Sequence, residues 1–417
     1  MVRRLGIWVL LAATVGAAAG VTSAGFLWLL DWATSWRETH GFVVWALPAG
    51  GFLIGGLYDL IGKKVRAGYA LILDTLHDGG EHIQLRLLPM VLGGTVLTHL
   101  VGGSAGREGT AVQMGASLGD FFAARGKLDH AGRRALLVAG IAGGFGSVFG
   151  TPWAGAIFGI EVLTIGRLEV GALIPALVAS LVGDQVTRHL GIIHTAYPTV
   201  AFLDVSAPLL GKWLLFALAV AVVGVVFVEA AHRLKAWLER VLPWGAARAA
   251  LGGVALVGLW RLSGTDQYLG LGVPGIVASF SGGVPVWAFA WKLLFTVVTV
   301  GTGFIGGEVT PLFFIGASLG STLAVPLGLP PGVCAAVGMA ALFGAVANTP
   351  LALSIMAVEL VGPGVLPHVL PVAVLAYLLC GNRGIYPGQR VSRKKHGGKR
   401  HHPPIPLRDL HRHGQSP

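Results

Sequence analysis

The chain is written in long apolar runs separated by short polar stretches. Residues 7–30, 42–61, 207–228 and 286–304 are nearly unbroken, and they approach or exceed the ~20 residues a helix needs to cross a bilayer. Residues 333–347 and 365–379 are also apolar, but short or broken by Gly and Pro. The pattern predicts on the order of ten membrane segments, several of them discontinuous, and so an all-α polytopic membrane protein. The start, MVRRLGIWVLLAATVGAAAG, has the basic residues, apolar stretch and small residues of a signal peptide. Its apolar stretch runs on to residue 30, too long for such a leader, so it reads as a retained first helix with its N-terminus inside. Lys63, Lys64 and Arg66 then fall inside again after the second span, in line with the cytoplasmic bias of Lys and Arg.

The runs repeat. GREGTAVQMGASLG (residues 106–119) and GGEVTPLFFIGASLG (residues 306–320) each place a glutamate after glycine, a threonine two residues on, and an apolar run closing in GASLG; Glu108 and Glu308 are 200 residues apart. AGIAGGFGSVFGTPWAGAIFGIEVL (139–163) matches VGMAALFGAVANTPLALSIMAVELV (337–361) at an offset of 198, which aligns Gly140 with Gly338, Phe145 with Phe343, Pro152 with Pro350 and Glu161 with Glu359. Transporters often consist of two related halves inserted with opposite orientation, with the substrate site between them. The expected organisation is a first repeat over 1–205, a second over 206–389, and a tail over 390–417.

A Gly-rich break followed by an apolar run inside a membrane reads as a half-helix whose N-terminus is buried in protein. Its free N–H groups and positive dipole end then face inward. Two such ends facing one another form an anion site without a fixed cation. A carboxylate suits that place equally well, so Glu108 can occupy it, and protonation removes its charge and frees it. One residue can in this way couple an anion to a proton. An ionisable residue inside a membrane segment points to function, which singles out Glu108 and Glu308. Glu161 and Glu359, at the ends of apolar helices, instead suggest structural contacts between the halves.

Composition agrees with a membrane protein. Of 417 residues 54% are hydrophobic and 12% charged, about half the charge of a soluble domain, and the mean hydropathy is +0.73. The 64 glycines suit closely packed transmembrane helices. The net charge is +11, but eight Lys or Arg against one Asp lie from Arg390 onward. The excess therefore marks a solvated, disordered cytoplasmic tail rather than a nucleic-acid partner. Its scattered histidines (His396, His401, His402, His411, His413) could bind a metal weakly, but a solvated basic tail is the better reading; Cys334 and Cys380 give no disulfide framework and no metal spacing. No HExxH motif is present, and although GASLG itself fits GxSxG in both halves, no convincing nucleophile–base pair accompanies it, so nothing suggests an enzyme, a metal site or a cofactor.

At these motifs the sequence resembles the CLC family of chloride channels and proton-coupled anion antiporters, and most of all its fluoride-exporting bacterial branch. GREGT is similar to the family's gate motif, which implies that Glu108 is the gate and proton carrier. GGEVTP is similar to an anion-binding motif. The resemblance places backbone anion contacts on Gly106, Arg107 and Gly109 in one half and on Glu308, Val309 and Thr310 in the other. GNRGIYPG is similar to the segment that carries a pore-lining tyrosine, which implies that role for Tyr386. The chloride members' GSGIP serine has no counterpart: the matching stretch is AGYALILDTLHDG (67–79), where Tyr69 stands either by a shifted register or as the replacement donor. The inner proton-relay glutamate of chloride antiporters falls on Val162.

The resemblance implies a CLC-type fold of two inverted repeats and a homodimer in the cell inner membrane that exports fluoride in exchange for protons. A small, tightly hydrated anion needs dense donors, and helix N–H groups, the Thr310 hydroxyl, a tyrosine hydroxyl and a protonated Glu308 can supply them. The alternative is a chloride/proton antiporter or chloride channel on the same fold.

Overall fold

The computed structural model describes residues 2–397 and 401–410. The first half contains α1 (Val2–Thr39), α2 (Leu47–Leu60), α3 (Tyr69–Asp78), α4 (Leu87–Val101), α5 (Glu108–Arg125), α6 (His130–Phe149), α7 (Pro152–Glu161) and α8 (Leu173–His189). The second contains α9 (Ala207–Val241), α10 (Gly245–Ser263), α11 (Val273–Ser279), α12 (Ala288–Thr302), α13 (Val309–Leu327), α14 (Pro331–Ala347), α15 (Pro350–Val361) and α16 (Leu366–Leu379). The two series run in the same order, a long helix first in each and the GASLG helix fifth. Ser206 opens α9, its hydroxyl accepting from the N–H of Leu209 at 3.4 Å.

Among the described residues five helices are long and apolar enough to cross a membrane, and five more are apolar but shorter. The run over 42–61 divides into a short 3-10 turn, Gly41–Ala46, and α2, with a proline in the first turn of the helix. The run over 286–304 forms only the 15 residues of α12, because Gly303 turns the chain out of the helix at φ +101°. Its counterpart Gly102, at φ +98°, ends α4 in the same way. That left-handed conformation is open to glycine without steric cost. Both turns lead into the short stretches that open α5 and α13 inside the protein.

Small residues set how close the helices come. A methyl group added at Gly115 would meet the carbonyl oxygen of Gly140, and one added at Gly140 would meet that of Gly115; Gly316 and Gly338 repeat the relation between α13 and α14. The GASLG runs are thus the faces on which each half-helix lies against its neighbour. Aromatic rings continue the packing across the repeats. Phe145 stacks on Phe158 at 4.2 Å, Phe158 faces Phe343 at 6.3 Å, and Phe149 faces Phe313 at 5.5 Å.

Glu161 and Glu359 exchange caps between the halves. The carboxylate of Glu161, at the end of α7, accepts from the N–H groups of Leu351 (3.1 Å) and Ala352 (2.7 Å) at the start of α15. Glu359, near the end of α15, accepts from Trp153 (3.1 Å) and Ala154 (2.8 Å) at the start of α7. Each helix start offers N–H groups with no partner in their own helix, and a carboxylate there also meets the positive dipole end. The structural contacts anticipated for this pair are present, and they clamp α7 and α15 antiparallel.

The tail departs from the sequence reading. From Arg390 a disordered segment is expected, but its described residues fold. β1 (Arg390–Val391) pairs antiparallel with β2 (Ile405–Pro406), and α17 (Leu407–Leu410) follows. Val391, Leu407 and Leu410 bury against Ile165. Arg390 pairs with Asp78, and Arg408 reaches both carboxylate oxygens of Asp74 at 3.0 Å. The apolar residues spaced among the basic ones, together with two aspartates on α3, hold the segment down. His411 and His413 lie outside the described residues. The start of α1 lies on this same face, where Trp8 approaches Gly132 at the beginning of α6 and His130 lies beside Gly79 at the end of α3.

Removing either swapped cap strands two N–H groups at a helix start. Glu161→Ala and Glu359→Ala are each expected to lose about 1–3 kcal/mol of stability, read as a fall in melting temperature of the detergent-solubilised protein.

Candidate anion site at the meeting of two half-helices

The two Gly-rich breaks touch. The N–H of Gly106 donates to the carbonyl of Gly307 at 2.5 Å, and the N–H of Gly307 donates back to Gly106 at 2.8 Å, in an antiparallel bridge. The contact leaves no room for side chains. A methyl group at Gly307 would lie 2.8 Å from the amide nitrogen of Gly109, and one at Gly109 would lie 3.1 Å from the α-carbon of Gly307. The glycines of both motifs therefore bring the N-termini of α5 and α13 together in the interior.

Glu108 is fully buried, and its carboxylate lies on the start of the other repeat's half-helix. One oxygen accepts from the N–H of Thr310 at 3.2 Å and from the N–H of Arg107 at 3.1 Å. The other accepts the hydroxyl of Thr310 and lies 3.6 Å from Nε of Arg107. Thr310 is the second residue of α13, so its N–H has no acceptor within that helix. A carboxylate thus fills a place built from N–H groups, a hydroxyl and a dipole end. Val309, the first residue of α13, is buried beside it.

The repeat is not symmetric here. Glu308 caps α13 rather than opening its own helix, whereas Glu108 begins α5. Glu308 is half-buried, and the cation within its electrostatic reach is Lys235 near the end of α9. The threonines also differ in partner: Thr310 holds Glu108, whereas the Thr110 hydroxyl pairs with that of Thr95 at 2.7 Å.

Tyr69 and Tyr386 meet from opposite ends of the chain. Their rings stack at 4.3 Å and 22°, and both are buried. Tyr69 is the first residue of α3, and Tyr386 lies in the segment that leaves α16 for β1. Gly388 makes the meeting possible, since a methyl group there would lie 3.1 Å from Leu73 and 3.2 Å from Ala70 of α3. The Tyr69 hydroxyl is buried without a hydrogen-bond partner, while Tyr386 lies within electrostatic reach of Tyr69, Glu308 and Glu108. The inner-relay position Val162 is buried, and its carbonyl accepts from Gln389 at 2.9 Å. Among the described residues no cluster of three or more His, Cys, Asp or Glu could hold a metal.

Residues that the motifs did not single out also converge. Tyr197 is buried and lies within electrostatic reach of Arg107 and Glu108. His194 stands near Asp184 (3.7 Å) with no hydrogen bond to either ring nitrogen, and burial pushes its imidazole down to about 4, so it is neutral at pH 7. The recurring Glu-x-Thr of the two motifs was the signal for Thr110. His194 and Tyr197 lie in GIIHTAYP (191–198), a stretch that is similar to the fluoride branch, whereas nothing in the sequence marked Thr95.

The family description "Voltage gated chloride channel" matches residues 50–381. A protein of Pseudomonas syringae pv. tomato named as a chloride/fluoride channel protein is 46% identical over 410 residues, covering 96% of this chain and 88% of that one. An H(+)/Cl(-) exchange transporter of Klebsiella pneumoniae is 25% identical, with 84% and 80% covered. The crystal structure of a CLC-type fluoride/proton antiporter matches with a TM-score of 0.91 at 35% identity, covering 94% of this chain and all of that one. A slow cyanobacterial Cl-/H+ antiporter shares the fold, with a TM-score of 0.80 at 22% identity.

Proposed function

The chain belongs to the voltage gated chloride channel family, and on that premise we propose that it exports fluoride in exchange for protons, with Glu108 as both gate and proton carrier. Members of this family are transporters and channels, not enzymes, and anion–proton exchange is the activity its antiporter relatives support. The observation that carries the finer reading is the Glu108 carboxylate held by the N–H and hydroxyl of Thr310. An anion would meet the same donors, so the carboxylate and the anion compete for one place. Protonating Glu108 turns an acceptor of three donors into a neutral acid. Its hold on α13 weakens, the place opens, and the proton leaves with the side chain in the direction opposite to the anion. Proton and anion movement are coupled because the ionised carboxylate and the anion cannot occupy the place together.

Fluoride selectivity rests on donor density. Stripping water from a small anion is compensated only by several close donors. Thr310 supplies two, the unpartnered Tyr69 hydroxyl is a third, and a protonated Glu308 would add a fourth. The stacked Tyr69–Tyr386 pair takes the place of the serine that chloride members carry there. Val162 stands where those members have a second proton-handling carboxylate, so the inner proton route falls to Glu308. The relative named as a chloride/fluoride channel protein and the solved fluoride/proton antiporter support this reading. The relatives named as H(+)/Cl(-) exchange transporters support chloride exchange as the second reading. The proposal includes a homodimer in the inner membrane, with the N-terminus and the tail in the cytoplasm.

Two measurements in liposomes test it. Glu108→Gln is expected to abolish proton movement driven by a fluoride gradient in a protein that still folds; proton pumping at the wild-type rate would remove Glu108 from the role. Glu308→Ala and Thr310→Ala each remove a donor worth about 1.5–3 kcal/mol to a buried anion. Each should slow fluoride transport roughly tenfold to a hundredfold and narrow its advantage over chloride. Unchanged selectivity in both would favour the chloride reading.

A further inference from the structure

The transport pathway leaves unused a cleft between the folded tail and the membrane body. It has a volume of about 410 Å³ and is lined chiefly by Arg167, Tyr377, Arg393, Lys394, Lys395 and His402. That is the size of a small-ligand site. None of its lining residues is acidic. The nearby carboxylates of Asp74 and Asp78 are engaged by Arg408 and Arg390. Among the described residues no carboxylate pairs with Arg167, Arg393 or Lys394. Lys395 is fixed in the wall, its Nζ donating to the Tyr377 carbonyl at 2.7 Å and lying 3.7 Å above the Tyr377 ring. Burial pushes its ammonium down to about 7, and a bound anion is the interaction that would keep it charged.

Unpaired like charges gathered round one cavity repel one another. The tail nevertheless folds so as to gather them, with Arg390 and Arg408 committed to α3 and the other basic residues left facing the cleft. Guanidinium groups match the geometry of an oxyanion better than that of a halide. We propose that this cleft binds a phosphate-bearing anion, held between Arg167 of the membrane body and Arg393, Lys394 and Lys395 of the tail. The ligand would tie the tail to the loop after α7, and so brace the segment that carries Tyr386. Two sources share this chemistry: the headgroup of an anionic phospholipid, abundant at a membrane surface, and a soluble phosphate.

Thermal unfolding of the full chain in neutral detergent, at constant ionic strength, tests the site. Inorganic phosphate and dihexanoyl phosphatidylglycerol are titrated separately, with dihexanoyl phosphatidylcholine as the zwitterionic control. A ligand that binds the folded state raises the melting temperature saturably. The expected result is such a rise with phosphate or phosphatidylglycerol and none with phosphatidylcholine. Arg393 and Lys394 are both exposed, so Arg393→Ser/Lys394→Ser should keep the unliganded melting temperature while weakening the apparent Kd about tenfold or more. Arg167→Ser, on the opposite wall, should weaken binding as well. A response to phosphatidylglycerol alone assigns a lipid headgroup, and a response to inorganic phosphate assigns a soluble ligand. No saturable rise with either, an equal rise with phosphatidylcholine, or unchanged affinity in the variants would overturn the proposal.

Discussion

The pair of backbone hydrogen bonds between Gly106 and Gly307 is the contact on which the functional geometry depends. Through it two helix N-termini, each with unpaired N–H groups, are held against one another in the interior of a largely apolar protein. Burying such groups without partners costs about 1–3 kcal/mol apiece, so the meeting must be filled by an acceptor. Glu108 fills it. The glycines that permit the contact, the half-helices that create the demand and the carboxylate that meets it form one arrangement, and altering any one of them changes what the others require.

The swapped caps of Glu161 and Glu359 use the same physics for a different end. There, too, carboxylates lie on helix starts of the opposite repeat, but each makes two backbone hydrogen bonds and both members of the pair are matched. At Glu108 the match is one-sided, because Glu308 does not return the contact to α5. A symmetric exchange of caps makes a clamp, and an unreciprocated cap can be displaced. The internal duplication therefore supplies both a matched joint and an unreciprocated contact between the halves.

Much of this was legible in the sequence because it is written twice. The GASLG runs, the Glu-x-Thr pairs and the 198-residue offset of Glu161 and Glu359 mark the repeat, the broken helices and the contacts of that glutamate pair between the halves. What one sequence does not carry is which residues meet across long separations. Tyr69 could be read as a misaligned position, and its stacking on Tyr386 joins two residues more than three hundred positions apart. The tail's charge by itself reads as solvated, because the aspartates of α3 that receive Arg390 and Arg408 lie more than three hundred residues earlier in the chain. Thr95 carries no motif, and its position follows from packing alone.

The central claim is that the ionised carboxylate of Glu108 and the transported anion compete for the donors of Thr310. Calorimetric titration of the detergent-solubilised wild-type protein with fluoride, repeated in buffers of different ionisation enthalpy, reads the protons exchanged on binding. Fluoride binding is expected to take up a proton. Fluoride binding with no proton exchange in any buffer would contradict it.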